Sequence, residues 1–199
     1  MKKFLSLSAV LLAAALVFMG CKQPVAEDTD PFSDCSETVS TIEMSDGTWT
    51  ITTSNSGTSN GMSYTSDFTF KATVADGELE ITSGTQKMVM KTEDVLGEYY
   101  STYTSLTAEQ KKQFQEVYKS GLTDSFEASF GTVEDVTMTD EYITITLELG
   151  SAMLQSAAYM FNPANLPEGS TIKTNSDKTK YIITVTIQDH TAVYYATKD

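Results

Sequence analysis

The 199-residue sequence contains no arginine, a single histidine, a single tryptophan, two cysteines and four prolines. Without arginine the chain lacks the planar fork that grips phosphate. With 13 lysines against 27 acidic groups and a net charge of −14, it also lacks the basic groove that nucleic acid requires, so nucleic acid is excluded as a partner. The same charge disfavours adhesion to anionic headgroups by electrostatics alone. One histidine, His190, and two cysteines cannot complete a zinc site of the usual nitrogen and sulfur ligands, nor staple a disulfide-rich fold. The glycines are isolated and form no phosphate-cradling loop. No cofactor and no metal are therefore expected.

Hydrophobic length is scarce too, except at the start. Lys2 and Lys3 precede an uncharged run from Phe4 to Phe18, which ends in Met19, Gly20 and Cys21. A charged start, a short apolar stretch and a small residue before the cut form an export signal over residues 1–20. The run falls short of the ~20 apolar residues that a comfortable membrane span needs. Phe18 is too large for an ordinary signal-peptidase site. The string Phe18-Met19-Gly20-Cys21 resembles a relaxed bacterial lipobox. That resemblance implies that Cys21 becomes the mature N-terminus and carries diacylglycerol and fatty acid such as palmitate, so that the protein is a lipoprotein of the cell envelope. Lys22, where one inner-membrane retention signal has Asp, points to the outer membrane or cell surface. Removal of residues 1–20, with two lysines and no acid, leaves 11 lysines against 27 acids and a net charge of −16.

Residues 21–41 are polar and acidic, with Pro24 and Pro31, and read as a flexible tether. Asp28, Asp30 and Asp34 lack the glycine and closing Glu of a calcium loop. Cys35 lies in this stretch, unpaired once Cys21 is acylated, and is expected to be a free thiol or to bridge another molecule.

From Ile42 to Asp199 one domain is expected, dominated by period-two alternation. Trp49, Ile51 and Thr53 alternate with threonines, and Phe68, Phe70, Ala72 and Val74 do likewise. Asp76-Gly77 predicts a hairpin turn, and Ser83-Gly84 a second one before Met88 and Met90. Val136–Met138 pairs with Ile143–Leu149 about a turn near Asp140, and Tyr181–Ile187 with Thr191–Ala196 about Asp189-His190. Thr107 with Gln110 predicts a capping box, followed by an apolar stripe of Phe114, Val117, Tyr118 and Leu122 and a stop at Gly121. Glu93–Tyr103 and Ser151–Phe161, ahead of Asn162-Pro163, are further helical stretches. The pattern predicts an α+β fold, an antiparallel sheet of about seven strands with two or three inserted helices on one face. The alternative is a partly closed barrel: Gly47-Thr48-Trp49 resembles the lipocalin Gly-x-Trp signature, which implies a small apolar ligand inside the barrel. That family covers the Trp with an Arg, which this chain replaces at best by Lys198.

No catalytic motif is visible, and the chain reads as a non-enzyme. His190 has no Gly-x-Ser-x-Gly elbow to serve. Glu134, Asp135, Asp140 and Glu141 flank one hairpin but have no defined separation of the kind that glycoside hydrolysis needs. Aromatic residues are the remaining signal for binding: Trp49, and Tyr99, Tyr100 and Tyr103 ahead of the capped helix. The expectation is a lipid-anchored extracytoplasmic domain that binds a small apolar ligand or an envelope or host protein. The alternatives are an envelope hydrolase using carboxylates and a structural surface lipoprotein.

Overall fold

The computed structural model describes residues 30–59, 61–128, 130–161, 165–187 and 190–199. Residues 1–20, read as an export signal, Cys21, residues 22–29, Asn162, Pro163 and Asp189 lie outside them. Among the described residues nine strands and four α-helices follow one another as β1 (Glu37–Val39), β2 (Gly47–Ser59), β3 (Met62–Ala75), β4 (Glu78–Lys91), α1 (Thr92–Leu96), a 3₁₀ turn (Gly97–Tyr99), α2 (Tyr100–Thr104), α3 (Ala108–Glu127), β5 (Gly131–Met138), β6 (Tyr142–Leu149), α4 (Ser151–Phe161), β7 (Thr171–Thr174), β8 (Lys180–Ile187) and β9 (His190–Lys198). Among the described residues no helix is long and apolar enough to cross a membrane.

The strands form one open, mostly antiparallel sheet in the order β1-β7-β8-β9-β2-β3-β4-β6-β5. The α+β expectation holds, but the strands number nine rather than seven, and the sheet ends in free edges instead of closing into a lipocalin-like barrel. The two strands missed are short. β1 sits in the stretch read as tether and pairs with β7 through Glu37↔Thr174 and Val39↔Ile172. Three and four residues are too few for alternation to show in sequence. His190, expected in a turn, is the first residue of β9 and stands opposite Ile187.

The described residues group into two compact units. The first comprises residues 56–66 and 86–148 and the second residues 30–55, 67–85 and 149–199 among those described. In the first unit Met88, Met90, Ile143, Ile145 and Leu147 from the sheet meet Leu122 and Phe126 of α3. The Thr107 hydroxyl accepts from the Gln110 amide at 3.4 Å while the Gln110 side chain accepts from the Thr107 amide at 2.9 Å, so the capping box forms as expected. The helix does not stop at Gly121: Leu122 and Phe126 are fully buried and carry it to Glu127. Val117 is 76% exposed, because at 100° per residue it lies roughly 140° around the helix from Leu122.

In the second unit Trp49, Ile51, Phe68, Phe70, Tyr181, Ile183 and Tyr194 line one face of the sheet, and α4 covers them with Leu154, Ala157 and Phe161. Asp76 and Gly77 both take positive φ, 53° and 80°, as a tight hairpin turn requires. Ser83-Gly84 is not a turn. β4 runs straight through it, with the buried phase slipping by one residue at Thr82-Ser83, as at a β-bulge. Gly84 is needed for space, since a Cβ there would stand 3.0 Å from each of Leu149 Cδ1, Leu154 Cδ2 and Phe70 Cδ1.

Residues 30–36 form a strap on this unit. The Lys180 ammonium donates to the Pro31 carbonyl at 2.7 Å and to the Asp34 carboxylate at 3.2 Å. The Phe32 ring lies 4.9 Å from that of Tyr195. Cys35 is a free thiol, 6% exposed, next to the Lys180 carbonyl at 3.7 Å. Burial raises its pKa, with Asp34 adding to the effect. The folded part of the chain thus begins before Ile42.

Candidate ligand cleft

Trp49 is fully buried, and its indole Nε1 donates to the Ser45 carbonyl at 3.0 Å. Its ring packs 5.9 Å from Tyr181. Lys198 is its direct cross-strand partner, with the ammonium donating to Ser45 Oγ at 2.9 Å. Trp49 is a core residue, and it lines neither of the clefts described below.

The tyrosines belong to the first unit and have packing roles there. Tyr103 is buried, and its hydroxyl donates to Asp140 Oδ1 at 2.9 Å while accepting from Gln115 Nε2 at 2.8 Å. Lys111 donates to Asp140 Oδ2 at 2.5 Å, and its ammonium stands 5.2 Å from the centre of the Tyr103 ring. The hydrogen bond from Lys111, reinforced by that from Tyr103, holds the Asp140 carboxyl below its ordinary pKa. Tyr100 stacks on Tyr103 at 6.5 Å and donates to the Asp140 carbonyl at 3.2 Å. Tyr99 is 59% exposed. The cluster ties α2 and α3 to the β5–β6 turn, and the amphipathic ring suits such a seam.

Among the described residues none of the carboxylates is buried, and no group of three or more His, Cys, Asp or Glu stands close enough to hold a metal. Glu134, Asp135, Asp140 and Glu141 are exposed. The His190 side chain lies outside the description.

A concave site lies in the second unit. A cleft of about 630 Å³ opens between the segment Ile42–Met44, the β3–β4 hairpin and the end of α4. Its lining is Ile42, Met44, Val74, Leu79, Ala158 and Phe161, together with Glu43, Gly77 and Glu78. The volume falls in the range of about 300–1,000 Å³ usual for small-molecule sites. Strand alternation puts Val74 and Leu79 on the helix-covered face, and α4 contributes Ala158 and Phe161 one helical turn apart. The entry segment is fixed by Tyr181, whose hydroxyl donates to the Glu43 carbonyl at 2.8 Å. Glu43 also makes a short ion pair with Lys178, and that hydrogen bond lowers its pKa. Glu43, Lys178 and Tyr181 further line a smaller cleft of about 290 Å³ with Val39 and Thr41.

None of these lining residues is among the binding candidates Trp49, Tyr99, Tyr100 and Tyr103, although the sequence pattern places Val74, Gly77 and Phe161 in a strand, a turn and a helix. They come from three segments far apart in the chain, and each reads locally as an ordinary core or hairpin position. Comparison of the chain with protein-family models, with curated proteins and with solved structures returns no match.

Proposed function

We propose that the protein is an exported lipoprotein, anchored through Cys21, that binds a small apolar ligand in the cleft between Ile42–Met44, the β3–β4 hairpin and α4. The observation that carries the binding reading is the cleft itself, about 630 Å³, whose lining mixes apolar Met44, Val74, Leu79 and Phe161 with acidic Glu43 and Glu78. Apolar lining with a few polar groups at the rim is the usual composition of small-ligand sites. The two carboxylates favour ligands that are neutral or carry a cationic end. The anchor reading rests on the lipobox string ending in Cys21. Each acyl methylene buried in the bilayer contributes about 0.8 kcal/mol, so two or three chains hold the protein firmly.

The two parts are tested separately. Saturable binding of an apolar fluorophore such as N-phenyl-1-naphthylamine is expected for the chain from residue 21 with Cys21→Ser. Ala158→Trp, which fills the cleft from α4, should abolish it while leaving the melting temperature within a few degrees. Binding that survives Ala158→Trp, or none in the parent, refutes the cleft reading. Cys21→Ala in the full chain should abolish fatty-acid labelling and release the protein from membranes.

A further inference from the structure

One wall of the cleft is built differently from the others. Val74 and Leu79 belong to paired strands, and Ala158 and Phe161 to a helix. Ile42, Glu43 and Met44 belong to neither. They lie in the link between β1 and β2, and among the described residues no backbone–backbone hydrogen bond ties Thr41–Ser45 to the rest of the chain. A segment without such bonds sits at the low end of local stability.

Side chains hold it instead, at unequal points. Its end is secured at Ser45, whose carbonyl accepts from Trp49 Nε1 at 3.0 Å and whose hydroxyl accepts from the Lys198 ammonium at 2.9 Å. Among the described residues the polar ties of its middle converge on Glu43. There the carbonyl accepts from the Tyr181 hydroxyl at 2.8 Å, and the carboxylate accepts from Lys178. Thr41 reaches only back to Glu43, at 3.5 Å. Half-buried Ile42 and buried Met44 rest on the core of the unit. Both ends can turn: β1 stops at Val39, opposite Ile172, and β2 starts at Gly47 with a φ of 135°, a conformation open to glycine.

Lys178 occupies an unusual place for a lysine. It stands in the β7–β8 loop with a φ of 52°, and its amide donates to the Asn175 carbonyl at 3.0 Å. A left-handed position in such a hairpin loop suits glycine and disfavours a residue with a β-carbon. The ion pair with Glu43 is exposed on both sides, and an exposed pair returns little stability. What the lysine adds at that position is its hold on Glu43.

We propose that Thr41–Met44 is a gate over the cleft and that Glu43 is its clasp. With Tyr181 and Lys178 engaged, Ile42 and Met44 close the wall; with both released, the segment swings about Ser40 and Gly47 and a ligand passes. The inference rests on the binding reading of the cleft. Tyr181 and Lys178 line no part of that cleft, so the clasp is made equally in the empty and the filled closed states. Weakening it raises the open fraction of both, and entry and exit quicken by the same factor. A fixed wall behaves otherwise: loosening it speeds exit alone and weakens binding.

The test is stopped-flow binding of N-phenyl-1-naphthylamine to the full chain carrying Cys21→Ser. Lys178→Gly suits the left-handed backbone and should preserve Tm, while Tyr181→Phe removes the other half of the clasp. Association and dissociation rate constants should rise together at unchanged Kd, by about two- to fivefold for Lys178→Gly and about two- to tenfold for Tyr181→Phe. High salt, which screens the ion pair, should quicken the parent and not Lys178→Gly. A rise in dissociation alone, with weaker binding, assigns a fixed wall and overturns the proposal. Unaltered rates in both variants place the entrance elsewhere and overturn it too. Dye binding that is absent, or that survives Ala158→Trp, refutes the cleft reading and the gate with it. Binding abolished by Ala158→Trp, alongside unaltered rates in the clasp variants, refutes the gate alone.

Discussion

Tyr194 offers a sharp test of how the second unit is held together. Its ring is 2% exposed, stands opposite Thr53 and Ile183 in the sheet, and makes an edge-on contact with Phe161 at 5.1 Å. Among the described residues its hydroxyl is buried without a hydrogen-bond partner. A polar group in that state loses its water without recompense, which costs about 1–3 kcal/mol. Tyr194→Phe keeps the ring and removes the oxygen. Allowing for the small void left behind, the substitution should stabilise the protein by about 1 kcal/mol. At this size that corresponds to a rise in Tm of about 2–4 °C, or to a higher urea midpoint at unchanged slope. The same substitution at Tyr181 should have the opposite sign, because its hydroxyl donates to the Glu43 carbonyl at 2.8 Å; a loss of about 1 kcal/mol is expected. Alkaline pH supplies a second readout. Burial raises the pKa of Tyr194, so above the ordinary tyrosine value of about 10 the unfolded chain releases a proton that the folded one keeps, and stability falls. Tyr194→Phe should flatten that limb. A Tyr194→Phe protein destabilised by 1 kcal/mol or more, with an unaltered alkaline limb, refutes the reasoning.

Gly84→Ala should lower Tm by a few degrees: overpacking against Phe70, Leu149 and Leu154, each at 3.0 Å from the new Cβ, costs about 1–3 kcal/mol, part of which the lost glycine entropy offsets. An unchanged or higher Tm shows that the three side chains give way. Asp140→Asn should flatten the acid limb of the Tm–pH curve. The carboxyl's pKa is depressed in the folded state by Lys111 and Tyr103, so its contribution is complete above the ordinary value of about 3.9 and is lost as pH falls through the folded one. The pair is half-exposed, and the effect should shrink in high salt; an identical acid limb in the variant refutes it.

The sequence announced what is local and periodic. The strand Phe68–Val74, the hairpin turn at Asp76-Gly77, the capping box at Thr107 and the helix Ser151–Phe161 all rest on signals spanning a few residues. What it hid depends on distant partners. Gly84 resembled a turn residue because glycine marks turns, but its smallness answers to Leu149 and Leu154, some seventy positions away. The stripe on α3 was drawn through Val117, when the buried line runs Phe114, Tyr118, Leu122, Phe126. β1 was invisible because a three-residue edge strand is defined by its neighbour β7 and not by its own composition. The cleft was hidden for the same reason. Trp49 and Tyr103, the most conspicuous residues for binding, are buried in the two cores.

The burial of Cys35 turns the strap into something that can be timed. On the acylation of Cys21 proposed above, Cys35 would be the chain's only thiol, and it is shielded beside the Lys180 carbonyl with a raised pKa. A maleimide or disulfide reagent in the medium can react only when residues 30–36 lift from the sheet. The modification rate therefore reports the opening of that segment, together with any wider unfolding that also bares the sulfur. Each opening also frees further residues between the lipid and the sheet, so the chemistry of one sulfur would record, event by event, how often the protein is allowed a longer reach.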